Sequence, residues 1–143
     1  MPDKIAEFLR EHHVLTMASH NGSEIWCANA FYAYVEDEDA LIITSEDHTK
    51  HIMLAVSSAK EGELSLIAGS IVLETEVVGK IRGLQFTATL EKNEGTLSKY
   101  RLLYLKRFPY AILKGGDLWV LRFKDLKFTD NRLGFGKKIV ASL

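Results

Sequence analysis

The sequence predicts a single mainly-β domain over residues 1–143: a small antiparallel barrel with helices packed outside it. Three observations lead there. Strand-like segments outnumber helical ones and never alternate with them as strand–helix–strand units, which argues against a parallel sheet. An Asn21-Gly22 pair stands between two apolar runs and reads as a hairpin turn. The chain has only two prolines and no Ser/Gly-rich stretch, so no linker divides it.

The elements follow in order. Residues 3–12 carry Ile5, Phe8, Leu9 and His12 on one face at helical spacing, with Asp3 favourable at the positive end. Val14 to Ser19 reads as a strand, and Glu24 to Val35 is its longer return. The acidic turn Glu36-Asp37-Glu38-Asp39 leads into a third strand, Ala40 to Thr44, completing a meander. A helix is expected from about His48 to Ser57, with Ile52, Ala55 and Val56 as its apolar stripe. Leu64 to Gly69 and Lys80 to Lys92 read as the fourth and fifth strands, while Ser70 to Gly79 is β-prone without a definite placement. Thr96 is expected to cap a helix from Leu97 to Arg107, stopped by Pro109. Leu118 to Phe128 makes a sixth strand and Lys138 to Ser142 a seventh.

Composition narrows the function. With 143 residues, 47% of them hydrophobic, the chain has ample material for a core. Eighteen basic and nineteen acidic residues give a net charge of −1, so no nucleic-acid partner is expected. No apolar run approaches the ~18 residues of a membrane span, and Met1-Pro2-Asp3-Lys4 carries no export signal. A cytoplasmic protein without a membrane partner is expected. The lone Cys27 forms no internal disulfide, and its mid-strand place without a neighbouring cation predicts a buried, inert thiol. No metal site is expected, because His48 and His51 lack a third ligand at a recognisable spacing.

Four places carry candidate chemistry. At Thr44-Ser45-Glu46-Asp47-His48-Thr49-Lys50 a strand gives way to a helix within a few residues. Hydroxyls and a cation beside a helix start suit a phosphate, although Ser45 or Asp47 acting merely as a cap fits the same residues. In Cys27-Ala28-Asn29-Ala30 four small side chains between aromatics leave room for a flat molecule, and the amide of Asn29 needs partners. Alternation in the fifth strand puts Gly83, Gln85, Thr87 and Thr89 on a face suited to a ligand, a partner subunit or solvent. The run from Lys127 to Lys138, with Gly134-Phe135-Gly136 among cations, reads as a shaped loop.

Blocks spread along the chain carry a family resemblance: Trp26-Cys27-Ala28-Asn29-Ala30-Phe31-Tyr32, Ile81-Arg82-Gly83-Leu84-Gln85-Phe86, Lys106-Arg107-Phe108-Pro109 and the Lys127-to-Lys138 run. Together they resemble the pyridoxamine-phosphate-oxidase-like, FMN-binding split-barrel superfamily, and within it the YhbP-like family. The resemblance implies a split barrel that forms a homodimer with FMN at the subunit interface, acting as an oxidoreductase on an unidentified small molecule. Haem is the alternative cofactor on the same barrel, and a dimer whose cofactor site has decayed is a further alternative. The flavin ring would border Ala28, Asn29 and Ala30 together with Ile43 and Thr44. Its phosphate would meet Ser45, Thr49 and Lys50. Gln85 fits the superfamily's glutamine near the flavin, and Trp119 an aromatic residue near the other subunit's cofactor. Where the superfamily often has adjacent basic residues, Lys50 is followed by His51, which leaves Arg82 or Lys137 to supply a second phosphate cation. The Arg-containing substrate tail of true pyridoxamine-phosphate oxidases is not recognisable, which disfavours vitamin B6 oxidation.

Overall fold

A computed structural model of the chain describes residues 1–94, 98–111 and 116–143. Its elements are α1 (Asp3–Glu11), β1 (Val14–His20), β2 (Ile25–Val35), β3 (Ala40–Ser45), α2 (Lys50–Ser58), β4 (Ser65–Leu73), β5 (Arg82–Asn93), α3 (Lys99–Arg107), β6 (Asp117–Asp130) and β7 (Lys138–Ser142). The strands run in the order β3-β2-β1-β4-β5-β6-β7, all antiparallel. A further pairing of β3 with β6 closes six of them into a barrel and leaves β7 outside, on the free edge of β6. This is the antiparallel barrel with outer helices that the strand-rich pattern predicts, and the split barrel that the resemblance implies.

Alternation along the strands sorts side chains into two cores. Leu15, Met17, Tyr32, Leu41, Ile43, Phe86, Trp119, Leu121 and Phe123 belong to the larger core, where Phe8 and Leu9 of α1 and Ile52 of α2 join them. The neighbouring residues of opposite parity, Ala33, Val35, Ala40, Ile42, Leu118 and Val120, pack under Tyr104 of α3 instead. Strands β2, β3 and β6 are therefore apolar on both faces over this stretch, which explains the unbroken run Ala40-Leu41-Ile42-Ile43. The Asn21 side chain accepts from the backbone N–H groups of Ser23 (3.1 Å) and Glu24 (2.8 Å), so the β1–β2 turn forms where Asn-Gly predicts it. Gly22 there has φ of 96°, a conformation that glycine adopts freely.

Several expectations are refined. Of the Ser70–Gly79 segment, Ser70 to Leu73 extends β4, and a 3-10 turn at Val78–Lys80 leads into β5. Helix α2 begins at Lys50, later than His48, with Thr49 as its N-cap. The Ser98 hydroxyl caps α3 by accepting from Arg101 N–H at 3.3 Å; Thr96 and Leu97 lie outside the described residues. Cys27 is exposed rather than buried. It has the outward parity of β2, in the half of the strand that α3 does not reach.

Side-chain anchors tie the helices to the barrel. Tyr32 donates its hydroxyl to the Leu9 carbonyl at 3.0 Å, and burial raises its pKa. The Arg107 guanidinium donates to the carbonyls of Arg10 (3.2 Å) and His12 (2.6 Å), so α3 caps the end of α1. His12 stacks on Phe8 with ring centroids 4.3 Å apart, and burial, reinforced by the charge of Arg82, lowers its pKa.

Two outcomes follow from this packing. A Cβ at Gly69 would stand 2.2 Å from the Phe86 ring, which is itself held edge-on against Phe123 at 5.0 Å. Gly69→Ala should therefore cost about 1–3 kcal/mol, read as a lower denaturant midpoint. Gly83→Ala, whose Cβ would meet nothing nearer than 3.8 Å, should change stability by less than about 0.5 kcal/mol. The imidazoles of His12 and His51 both have lowered pKa values. Their contribution is full above the unfolded histidine pKa of about 6.5 and declines as pH falls below it. The midpoint should drop between neutral pH and about pH 5, and His12→Gln should flatten that slope.

Candidate functional site

The end of β3 organises the site. Register places Thr44 beside Leu118 and Ser45 beside Asp117, at the rim of the barrel. The indole N–H of Trp119 donates to the Ser45 carbonyl at 2.9 Å, and Thr49 N–H donates to the Glu46 carbonyl at 3.2 Å. These contacts fix the loop that leads into α2. The Thr49 hydroxyl also donates to the Glu46 carbonyl, at 2.8 Å.

Beside this junction opens a cleft of about 480 Å³, within the usual range for small-molecule sites. One wall is the strand surface at Asn29, Ala30 and Phe31; the other is aromatic, made by Tyr104, Phe108 and Tyr110 with Ala111. Thr44, Ser45 and His51 close the end. The Thr44 hydroxyl donates to the Tyr104 hydroxyl at 3.2 Å, which joins the two walls. Phe108 packs on Phe31 at 5.4 Å and on Tyr104 at 5.1 Å, so the aromatic wall is held at both ends. The Asn29 carbonyl oxygen accepts from the Thr16 hydroxyl at 2.7 Å, which leaves its amide nitrogen free of side-chain partners among the described residues.

At the closed end His51 Nε2 is 2.9 Å from Ser45 Oγ and 3.4 Å from Thr49 Oγ1, and the two hydroxyl oxygens are 3.3 Å apart. Burial alone lowers the His51 pKa, so the ring is neutral near pH 7. Lys50 points another way. Its ammonium lies 4.5 Å over the Trp26 ring and 4.0 Å from the Glu24 carboxylate.

The sequence-derived residues thus divide. Asn29, Ala30, Thr44 and Ser45 meet in the cleft, with Thr49 bonded to its polar end. Ala28 and Ile43 belong to the barrel interior, Ala28 partly and Ile43 fully buried. Trp119 is buried beneath the junction and acts on it through Ser45. Gln85 lies across from Ser70 and Lys127 on another face of the sheet, in a shallow groove with Gly83 and Thr129. Arg82 pairs with Asp130, at the end of β5 remote from the junction, and its guanidinium donates to Glu11 at 3.2 Å. Lys137 is exposed in the same remote region, with its carbonyl accepting from Asp130 N–H. Within one chain neither Arg82 nor Lys137 reaches the junction. Sequence reasoning missed Phe31, Tyr104, Phe108 and Tyr110 as cleft residues. The Lys106-Arg107-Phe108-Pro109 block was the available signal for the aromatic wall.

No protein-family model matches the chain. Among curated relatives, a UPF0306 protein of Enterobacter sp. (strain 638) is 41% identical over 136 residues, which is 94% of this chain and 92% of that one. The UPF0306 protein YhbP of Salmonella paratyphi C is 38% identical, over 94% and 88% of the two chains. Solved structures share the fold at low identity. A heme-binding protein from Mycobacterium smegmatis superposes with a TM-score of 0.75 at 16% identity, covering 99% of this chain and 59% of that larger one. An FAD-binding protein from Mesorhizobium loti gives 0.67 at 10%, over 87% and 89%. HutZ, the heme storage protein of Vibrio cholerae, gives 0.64 at 11%, over 97% and 92%. The identity of 41% and 38% to these UPF0306 proteins, across nearly the full length of both chains, places the protein in the UPF0306 (YhbP) family.

Proposed function

We propose that this protein binds a flavin mononucleotide in the cleft between β2, the β3–α2 junction and the end of α3, and acts as an oxidoreductase-type flavoprotein on a small molecule. The cleft's shape carries this reading: an apolar slot between a small-residue strand and an aromatic wall, with polar groups gathered at one end. Such a division suits a flat ring with an anionic tail. The donor set fits. Asn29 and the strand backbone flank the ring position, while Ser45, Thr49 and His51 stand at the tail. Bound FMN would supply the electron transfer. The chain's own residues hold the ring, shield it from water behind Phe108 and Tyr110, and orient the tail.

Haem is the second reading, favoured by the aromatic wall and by the heme-binding and heme-storage proteins that share the fold. One measurement separates the two. Purified protein incubated with FMN and desalted should retain flavin absorption bands with quenched flavin fluorescence. A Soret band acquired from haem, with no flavin retained, would overturn the first reading, and a colourless protein after both treatments would overturn each.

The proposal extends to a symmetric homodimer with the cofactor at its interface. Among the described residues of one chain, Ile25 (75% exposed), Val72 (68%) and Val140 (73%) present apolar side chains on the outer surface of the sheet. A second copy would bury such surface, and in a two-fold interface the same patch serves both subunits. Sedimentation at micromolar concentration should give the mass of a dimer; a stable monomer would refute this arrangement.

A further inference from the structure

Lys50 is the cation that the sequence assigns to the anionic tail, yet its ammonium is engaged by the Trp26 ring and the Glu24 carboxylate and does not line the cleft. Among the described residues, the basic side chain that does line it is His51. Its Nε2 stands 2.9 Å from Ser45 Oγ and 3.4 Å from Thr49 Oγ1, so three polar atoms converge at the closed end of an otherwise apolar slot. Thr49 Oγ1 donates its proton to the Glu46 carbonyl and is left as an acceptor. We propose that His51, as imidazolium, is the cationic partner of the cofactor's phosphate monoester in place of Lys50, and that it selects phosphorylated over unphosphorylated flavin. This inference rests on the flavin reading above.

The surroundings of His51 make its charge responsive to the ligand. Of the elements packed on α2, β4 contains no titratable side chain, β1 offers His20, and β2 offers Cys27, Tyr32 and Tyr34, and none of these lines the cleft. Strand β3 presents only the Thr44 and Ser45 hydroxyls, and α3 and its continuation present the Tyr104 and Tyr110 phenols across the slot. In the preceding turn Glu46 and Asp47 pair with His48 (3.0 and 4.0 Å), and Asp47 also pairs with Lys92 at 3.5 Å. None of these charges shifts His51; burial alone holds its pKa below the ordinary 6.5. A phosphate dianion against Nε2 opposes that burial and raises the imidazole pKa in the complex. Binding therefore takes up a proton. Affinity rises as pH falls through the complex's His51 pKa, until the phosphate's own second ionisation near pH 6 limits it.

The test measures FMN and riboflavin affinities by fluorescence quenching at about pH 6 and about pH 8. Wild type should bind FMN several-fold more tightly at the lower pH, short of the limit of about tenfold that a shift of about one pKa unit sets, and riboflavin equally at both. His51→Gln should bind FMN with the wild-type affinity of the higher pH at both values, and leave riboflavin unchanged. Lys50→Ala should stay within about twofold of wild type throughout. In wild type, the His51 imidazole titration followed by NMR should move to higher pH on adding FMN but not riboflavin, a readout that does not depend on the variant's folding. FMN affinity that is flat with pH in wild type, or a loss that follows Lys50→Ala instead of His51→Gln, would overturn the assignment while leaving the flavin reading intact. If neither flavin binds at either pH, the flavin reading itself fails, and this inference with it.

Discussion

The pairing of β3 with β6 turns an open, twisted sheet into a barrel, and the rest of the structure is built on it. It runs from Ala40 opposite Arg122 to Ser45 opposite Asp117. Strand β3 already pairs with β2 through Tyr32 to Val35, so the closure leaves it no free edge over Ala40 to Ile43. Closing a sheet satisfies backbone groups that an edge would expose and gives the inward side chains a sealed interior. It also fixes one point in space, the rim at Ser45, where β3 must stop. The indole of Trp119 comes from the strand that makes the closure, and its N–H secures the Ser45 carbonyl. The start of α2, and with it the position of His51, thus inherits its precision from the barrel.

The cleft arises where one layer of packing ends. Helix α3 covers Ala33 and Val35 on the outward side of β2, but Asn29 and Phe31, of the same parity and farther from its reach, lie open. Tyr104 serves on both sides of that boundary. Its ring packs with Ile42 and Val120 in the second core, while its hydroxyl meets Thr44 at the cleft. Arg107 binds the end of α1 one turn later, so α3 is held by the barrel on one side and by α1 on the other. A cleft wall anchored in this way is largely formed before any ligand arrives, which lowers the ordering cost of binding.

The sequence made much of this legible because the signals were local. Alternation in Leu84, Phe86, Ala88 and Leu90 names the inward face of β5, and all four are buried. The junction residues Ser45 and Thr49 were visible because strand-end and helix-start signals adjoin. What stayed hidden depends on long-range contact. Tyr104 reads only as part of the helix expected to end at Arg107, and Phe108 as part of the block that follows it, since nothing local shows that α3 packs over β2 some seventy residues away in the chain. Arg82 read as a spare cation, whereas pairing with β6 carries it to the far end of the barrel and α1 supplies its carboxylate partner. Cys27 read as buried from its mid-strand place with no cation beside it; only the length of α3 decides that its half of the strand is uncovered. The bulge between Phe86 and Ala88, opposite Leu126 and Phe123, is likewise a property of two strands together.

The distribution of charge around the junction bears on what the cleft can discriminate. Lys50 faces Glu24, Lys92 lies between Asp47 and Asp117, and His48 faces Glu46 and Asp47. Lys50 and Lys92 are thus each paired with carboxylates at the surface, where water and salt screen such pairs further. A site of this kind presents little standing positive potential, in keeping with the net charge of −1. Recognition of an anion must then come from short-range hydrogen bonds inside the slot, where the lower dielectric strengthens them. Among the described residues, the basic side chain that lines the slot is His51, whose pKa burial alone depresses. A buried neutral imidazole avoids the desolvation cost of a fixed charge in the empty site and gains its charge only when a partner anion compensates it. A permanent cation at the same position would lack that reversibility, because arginine or lysine would keep its charge in the empty site.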